Sequence, residues 1–267
     1  MDPSRALAAE YSAMAEAYAQ HWAPVICPMA QPLLRGLPLA AASWILDVGT
    51  GTGALIPALR ATAPHAWLVG IDRAEGMLPI TRRAVGLPCA VMDAEQLAFR
   101  SQVFDVAILA FVLFHFPDPP AALREVHRVL RPGGIAGVVT WGDDPGMPGL
   151  AVWKEELDAI GAAPDPRHSN VMQHGRMDTP EKLAALLQQA GLACEAVWCE
   201  WFAHQLTLEA SLAIQTGCGV AARRLATIPE FAQTECQRRV RARVARFSAE
   251  ELVYRPQVVF AVARRST

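Results

Sequence analysis

Charge is scarce in this sequence. Charged residues occupy 19% of its 267 positions and the formal net charge is -2, so nothing favours a polyanionic partner. With 52% hydrophobic residues, a disordered or heavily solvated chain is excluded and an apolar cavity is expected beside the core. No C-x-x-C pair occurs among Cys27, Cys89, Cys194, Cys199, Cys218 and Cys236, which reads as reduced, packed thiols. No histidine and cysteine spacing suggests a metal site. No uninterrupted apolar run reaches about 18 residues. The start, MDPSRALAAEYSAMAEAY, lacks a basic segment followed by a continuous apolar one. A cytoplasmic protein without membrane insertion is expected, as one domain over 1–267 with ample length for a core.

What is present centres on residues 44–55, WILDVGTGTGAL. A short apolar run ends at Asp47, glycine recurs at 49, 51 and 53, and a helical pattern follows. Strand, tight turn and helix start are implied, because glycine reaches φ > 0 and removes the Cβ atoms that would hold a ligand off the turn. First-turn amides can then meet an accepting group. Gly49, Gly51 and Ala54 also satisfy the G-x-G-x-x-G/A pattern of dinucleotide-binding folds. Asp47 can accept from a cationic amine, a group that an amino-acid-bearing cofactor has and NAD lacks.

Strand patterns at 44–48, 67–71, 90–92, 104–110 and 135–141 alternate with helical ones, including 75–85 and 119–130. Nearly continuous apolar strands in such a series imply a parallel sheet covered on both faces, with ligands beyond the carboxyl ends of its strands. Asp72 ends the second strand, where an acid can accept from both ribose hydroxyls. Asp93 ends the third, placed to accept from an adenine amino group while the Ala94 N–H donates. Ala110, Phe111, Phe114, His115 and Phe116 emerge from the fourth. Before all of these, residues 4–22 form an amphipathic helix, expected to break near Ala8, with Tyr11 and Tyr18 as polar tips of a lid. Four prolines in 24–38 limit any helix there to a short one.

With ILDVGTGTG, GIDRAEGML, MDAEQLAF, FDVAILAFVLFHFPDP and ALREVHRVLRPGGI in order, the chain resembles the class I S-adenosylmethionine-dependent methyltransferases. Within them it is similar to the small-molecule group of ubiquinone and menaquinone enzymes. The resemblance covers about residues 44–140. It implies a Rossmann-like, doubly wound, mostly parallel seven-stranded α/β sheet with an antiparallel last strand, an N-terminal helix and a helical insertion forming a lid. It also implies S-adenosyl-L-methionine as cofactor: Asp47 with Gly49, Thr50, Gly51 and Gly53 at the methionine portion, Asp72 and Arg73 at the ribose, and Met77, Asp93, Ala94 and Glu95 at the adenine. Ala110 and Phe111 would lie beside the cofactor, under Tyr11 and Tyr18. Pro57 and Pro79 depart from the family's usual first and second crossover helices.

The parts expected are a helical cap at 1–40, a cofactor-binding core at 41–141 and a substrate-covering half at 142–267. That half holds helices at 150–160 and 180–190, closing strands at 194–202 and 257–263, and an insertion at 208–247 read as two helices, 208–226 and 229–247. Arg238, Arg239, Arg241, Arg243 and Arg246 form a basic cluster without interleaved aromatics, so a solvated helix face is preferred to a nucleic-acid site. Phe114, His115, Trp141, Trp153 and His174 are expected to line an aromatic pocket, with Trp198 and Trp201 also considered. His115 is the leading candidate for a general base and His174 the second. Methyl transfer to oxygen of a small aromatic or lipophilic metabolite, in secondary metabolism, is the expected activity. A cyclisation on the same fold is the alternative enzyme class, and a non-enzymatic binding module or an arsenite methyltransferase fits the residues less well. The expected partner is a small molecule, with room left for a homodimer.

Overall fold

The computed structural model describes residues 2–266. The chain begins with α1 (Pro3–Ala13), the single turn α2 (Ala15–Ala17), a π-helical turn (Tyr18–Trp22) and α3 (Ala23–Arg35). Asp2 caps α1 by accepting from the Ser4 N–H at 3.0 Å, with proline next to the cap. The helical run breaks at Met14 rather than near Ala8. Alanine sustains a helix, whereas the turn after Met14 sets Ala15 against Ala74, Met77 and Ile80. Against expectation, α3 runs for 13 residues through Pro28 and Pro32. Pro24 sits in its first turn, where no N–H is needed. Packing of Val25, Ile26, Met29, Ala30, Leu33 and Leu34 into the main core offsets the backbone bonds that the two internal prolines remove.

Then come β1 (Trp44–Val48), α4 (Ile56–Thr62), β2 (Trp67–Asp72), α5 (Met77–Val85), β3 (Cys89–Val91), β4 (Phe104–Ala110), α6 (Pro119–Val129) and β5 (Leu130–Trp141). Pro57 and Pro79 both fall in the first turns of their helices, so neither removes an intrahelical bond. The second half adds α7 (Leu150–Ala159), α8 (Pro180–Gln189), β6 (Leu192–Trp201), β7 (His204–Gln205), α9 (Leu208–Gly217), α10 (Val220–Leu225), α11 (Glu230–Val244), β8 (Val253–Tyr254) and β9 (Gln257–Arg265). Seven strands form one sheet in the order β3-β2-β1-β4-β5-β9-β6. Only β9 runs antiparallel to its neighbours, inserted between β5 and β6. The strand order reverses between β1 and β4, and it is there that crossovers leave a crevice at the carboxyl ends.

The single helix expected at 208–226 is two. Gly219 divides them, and a Cβ there would stand 2.6 Å from Gln215 Oε1. Helices α7, α9, α10 and α11 share a small apolar core of their own around Trp153, Leu157, Leu212, Leu225 and Val240.

Two close approaches hold the N-terminal segment over the crevice. Gly76 at the start of α5 donates its N–H to Ser12 Oγ at 3.1 Å, and a Cβ on it would come 2.5 Å from the Ser12 carbonyl oxygen. On the opposite side a Cβ on Gly217 would stand 2.9 Å from that of Ala17. Backbone atoms cannot give way as a flexible side chain can, so Gly76→Val should lift α1 off α5. The expected cost is about 1–3 kcal/mol of stability, the range for overpacked sites, read by thermal unfolding. Protease cleavage within residues 2–22 should increase, and unchanged cleavage would show that this contact does not hold the segment.

Candidate active site

The three glycines after β1 serve three different purposes. All have positive φ: +72° at Gly49, +55° at Gly51 and +77° at Gly53. A Cβ at Gly49 would lie 2.4 Å from Val112, and one at Gly53 2.9 Å from both Thr81 and Val85, so these two admit close packing of neighbouring elements. At Gly51 nothing lies within 4 Å, and the position opens onto a cavity. The turn is tied to β2 by Gly49 and Thr50, whose N–H groups both donate to the Ile71 carbonyl. Asp72 completes the tie. Its Oδ2 accepts from the Gly51 N–H and its Oδ1 from the Ala74 N–H, each at 2.8 Å.

A cavity of about 110 Å³ runs along the ends of β1, β2 and β4. It is lined by Tyr11, Tyr18, Gly49, Gly51, Asp72, Arg73, Met77, Asp93, Ala94, Ala110 and Phe111. A smaller one of about 60 Å³, bordered by Asp47 and Thr50, shares Tyr18, Gly49, Gly51, Ala110 and Phe111 with it. Burial pushes the Asp47 carboxyl up to about 6 and raises that of Asp72 as well. Asp93 Oδ1 accepts from the Glu95 N–H at 3.0 Å, and Oδ2 pairs with Arg73 at 3.0 Å. Two of the sequence-selected residues do not line either cavity. Gly53 is a packing glycine under α5, and Glu95 turns away to accept the Asp118 N–H at 2.9 Å.

The third cavity, about 400 Å³, lies under the helices of the second half and meets the first at Tyr11, Tyr18, Phe111 and His115. Phe114, Trp141 and His174 line it. Trp153 does not: it is 1% exposed and faces the apolar core between α7, α10 and α11, leaving Leu150 as the α7 residue at the cavity. Trp198 stacks on Phe260 at 5.0 Å, and Trp201 on the edge strand is 60% exposed. Sequence reasoning missed Trp22, Tyr254, Arg167, Gln215 and Arg223 as lining residues. The π turn carries Tyr18 and Trp22 to the cavity, and a turn of that kind leaves no periodic signature. Arg223, beside Arg224 in an otherwise apolar stretch, was the one visible signal.

At the junction, Tyr11 Oη lies 2.9 Å from His115 Nε2, and His115 Nδ1 lies 3.1 Å from the Val171 carbonyl oxygen. A carbonyl only accepts, so Nδ1 carries the proton and Nε2 accepts from the tyrosine hydroxyl. Burial lowers the His115 pKa to about 3 and raises that of Tyr11 to about 12, so both are neutral near pH 7. His174 stacks on Phe114 with ring centroids 4.0 Å apart, and burial lowers it to about 4. His115 is therefore a hydrogen-bond acceptor fixed in one tautomer, not a free imidazole poised near neutrality.

The basic face of α11 is laced with carboxylates: Arg238 and Arg239 pair with Glu235, Arg241 with Glu209, and Arg243 with Glu155 and Glu156. Among the described residues no cluster of three or more His, Cys, Asp or Glu could hold a metal ion, and no helix is long and apolar enough to cross a membrane.

The neutral histidines make stability depend on pH. In the unfolded chain each takes a proton near pH 6.5, while in the folded chain His115 does so only near 3 and His174 near 4. The unfolded state thus binds more protons in between, and stability falls as pH drops below about 6.5. His115→Asn should unfold at a lower temperature at pH 7 yet lose less on going from pH 6.5 to 4, measured by thermal unfolding. Parallel profiles for the two proteins would contradict the buried neutral imidazole.

Residues 46–138 match the family model described as a methyltransferase domain. The chain is 42% identical over 106 residues to a demethylmenaquinone methyltransferase of Thermus thermophilus, covering 38% of this chain and 48% of that protein. It is 33% identical over 153 residues to a ubiquinone biosynthesis O-methyltransferase of Ruegeria pomeroyi, covering 55% and 59%. The chain thus spans about half the length of these relatives. Its fold superposes on the YcgJ protein of Bacillus subtilis with a TM-score of 0.57 at 18% identity, over 90% of this chain and 99% of that one. Residues 46–138 thus match a methyltransferase domain, and the order of the sheet that carries them resembles that of the class I S-adenosylmethionine-dependent methyltransferases.

Proposed function

We propose that this protein transfers a methyl group from S-adenosylmethionine to a hydroxyl oxygen of a small aromatic or lipophilic metabolite. The observation that carries this reading is the meeting of two cavities of different character across Tyr11, Tyr18, Phe111 and His115. The smaller has carboxylates at the ends of two strands, with Asp47 of a third in the adjoining cavity of about 60 Å³, and the larger has an aromatic wall of Trp22, Phe114, Trp141 and Tyr254. One matched relative is named for O-methylation in ubiquinone biosynthesis and another for demethylmenaquinone, and a quinone-type ring suits such a wall.

The residues present fit the cofactor. Gly51 leaves open the space that a Cβ would fill. Asp47 is buried and, among the described residues, has no cationic partner, which matches the ammonium of a methionine moiety. Asp72 would hold the ribose hydroxyls through the free lone pairs of both oxygens. Asp93, Ala94 and Met77 would hold the adenine. When bound, the cofactor supplies a methyl group on a sulfonium, an electrophile that needs only an in-line nucleophile.

The chain's own work is placement, exclusion of water and disposal of one proton. The acceptor hydroxyl would give its proton to Tyr11 Oη as Tyr11 passes its own to His115 Nε2, whose lone pair already accepts the Tyr11 hydroxyl at 2.9 Å. His115 alone is a weak base at a pKa of about 3. Relay through tyrosine lets the proton move in the transition state and leaves no free phenolate beforehand.

Cofactor affinity should tighten as pH rises from 5 to 7, because the ammonium pairs with the carboxylate form of Asp47 and that form appears as pH passes about 6. Calorimetry should show this slope in the wild type and a weaker, flat affinity in Asp47→Asn. A slope unchanged in the variant would remove Asp47 from the site.

Incubation with methyl-labelled cofactor and a panel of hydroxylated aromatic acceptors should release S-adenosylhomocysteine and place the label on oxygen. Label on carbon would overturn the choice of atom. Tight cofactor binding without turnover on any acceptor would favour the cyclase alternative. Tyr11→Phe should lower kcat about 100-fold, the lower end of general acid and base effects, with less than a few-fold change in cofactor affinity.

A further inference from the structure

One side of the large cavity is built differently from its aromatic wall. Arg223 of α10 and Arg167 of the loop after α7 both line it, with side chains only 9% and 15% exposed. Asp165 lies between them. It accepts from Nε and Nη2 of Arg167 and from Nε and Nη2 of Arg223, at 2.7–3.2 Å. Glu10 of α1 accepts from Arg223 Nη1 at 2.7 Å. Formal charges therefore cancel, but donors do not. A guanidinium has five N–H groups. Among the described residues Arg167 Nη1 has no acceptor, and each Nη of Arg223 keeps one N–H beyond its single bond. Gln215 stands at the same cavity, 3% exposed. Its Oε1 is buried against Gly219 without a hydrogen-bond partner, and no bond of its Nε2 is formed among the described residues either.

Spare N–H groups of a guanidinium at a cavity wall are ready partners for an accepting group of a ligand. The field at the cavity points the same way. At Tyr11 both guanidiniums act as positive charges with Glu10 opposing them, at His115 both do, and at His174 Arg167 does with Asp178 opposing it. Planar paired donors match a carboxylate better than any neutral acceptor.

We infer that the acceptor carries a carboxylate, bound by Arg167 and Arg223 with Gln215 beside them, while its aromatic body lies on the Trp22 and Trp141 side. This rests on the proposed reading of the large cavity as the acceptor site. It adds to that reading the substrate class, an acidic hydroxyarene, and assigns specificity to residues of the insertion and its neighbouring loop. A neutral quinol would offer these donors no charged partner. A cationic acceptor would meet two guanidiniums.

The test is calorimetric binding of 6-hydroxy-2-naphthoate and of its neutral isostere 6-hydroxy-2-naphthamide to the full chain, with S-adenosylhomocysteine present. The acid should bind at least about tenfold more tightly, the range for a hydrogen bond to a charged group. Arg167→Gln should erase the preference while leaving S-adenosylhomocysteine affinity and thermal unfolding near wild type. Gln215→Leu should reduce the preference by about threefold and leaves all four charges in place. Equal binding of acid and amide, a preference kept in Arg167→Gln, or no binding of the acid would each overturn the inference. If Arg167→Gln unfolds, the Gln215→Leu ratio decides. Methyl transfer is read separately: a clear preference for the acid with no labelled product from any acceptor would sink the transferase reading and leave the carboxylate site standing.

Discussion

The site depends on one carboxylate shared between two backbone segments. Asp72 ends β2 and bonds the Gly51 N–H with one oxygen and the Ala74 N–H with the other, both at 2.8 Å. It thereby fixes the glycine turn after β1 to the start of the chain leading into α5. Without it, a turn of three positive-φ glycines would have many conformations to lose. Burial works against the charge and raises the pKa of Asp72, while bonds from backbone N–H groups pull the other way. A carboxylate kept at that position by backbone donors still offers a second lone pair on each oxygen. The same group can therefore order the empty turn and receive a ligand.

The N-terminal segment above the strand ends is held by contact and not by sheet pairing. The N-terminal segment reaches α5 through Ser12 and Gly76, and α9 through Ala17 and Gly217. Glu10 adds an ion pair to Arg223 of α10, so one short segment touches both the core and the insertion. Its π turn displaces the register by one residue relative to an α-helix, and that shift places Tyr18 at all three cavities. A cover of this kind can limit the access of water to the crevice beneath it.

The core was legible because its signals are local. Asp47, Gly49, Gly51, Asp72 and Asp93 each sit at the end of an apolar strand, and parallel sheets bring strand ends together whatever the rest of the chain does. The second half was less legible because its positions are decided by long-range packing. Trp153 and Leu150 lie on the same helix and both are apolar, and only the position of α10 and α11 decides which of them meets the cavity. The prolines of α3 misled for a related reason: local propensity disfavours that helix, while six buried apolar side chains favour it. Arg167 lies in a loop with no periodicity to read. Glu95 and Gly53 fit the motif and yet serve neighbouring backbone, since a motif fixes residue type more firmly than it fixes the direction of a side chain.

The end of β4 shows how strain is held where the cavities join. Phe111 adopts φ +55°, a left-handed conformation that costs an ordinary residue roughly 1–2 kcal/mol. Two contacts hold it there: its N–H donates to the Val139 carbonyl at 2.9 Å, and its ring packs on Trp141 at 4.3 Å. The reversed backbone lets one side chain border all three cavities, which an extended β4 could not do because successive residues would alternate between the faces of the sheet. A glycine would adopt the angle freely but would leave no ring between the cofactor side and the acceptor side. The strained phenylalanine thus stands where the two spaces meet, beside Tyr11, Tyr18 and His115, and on the proposed reading that is where a reacting hydroxyl would be placed.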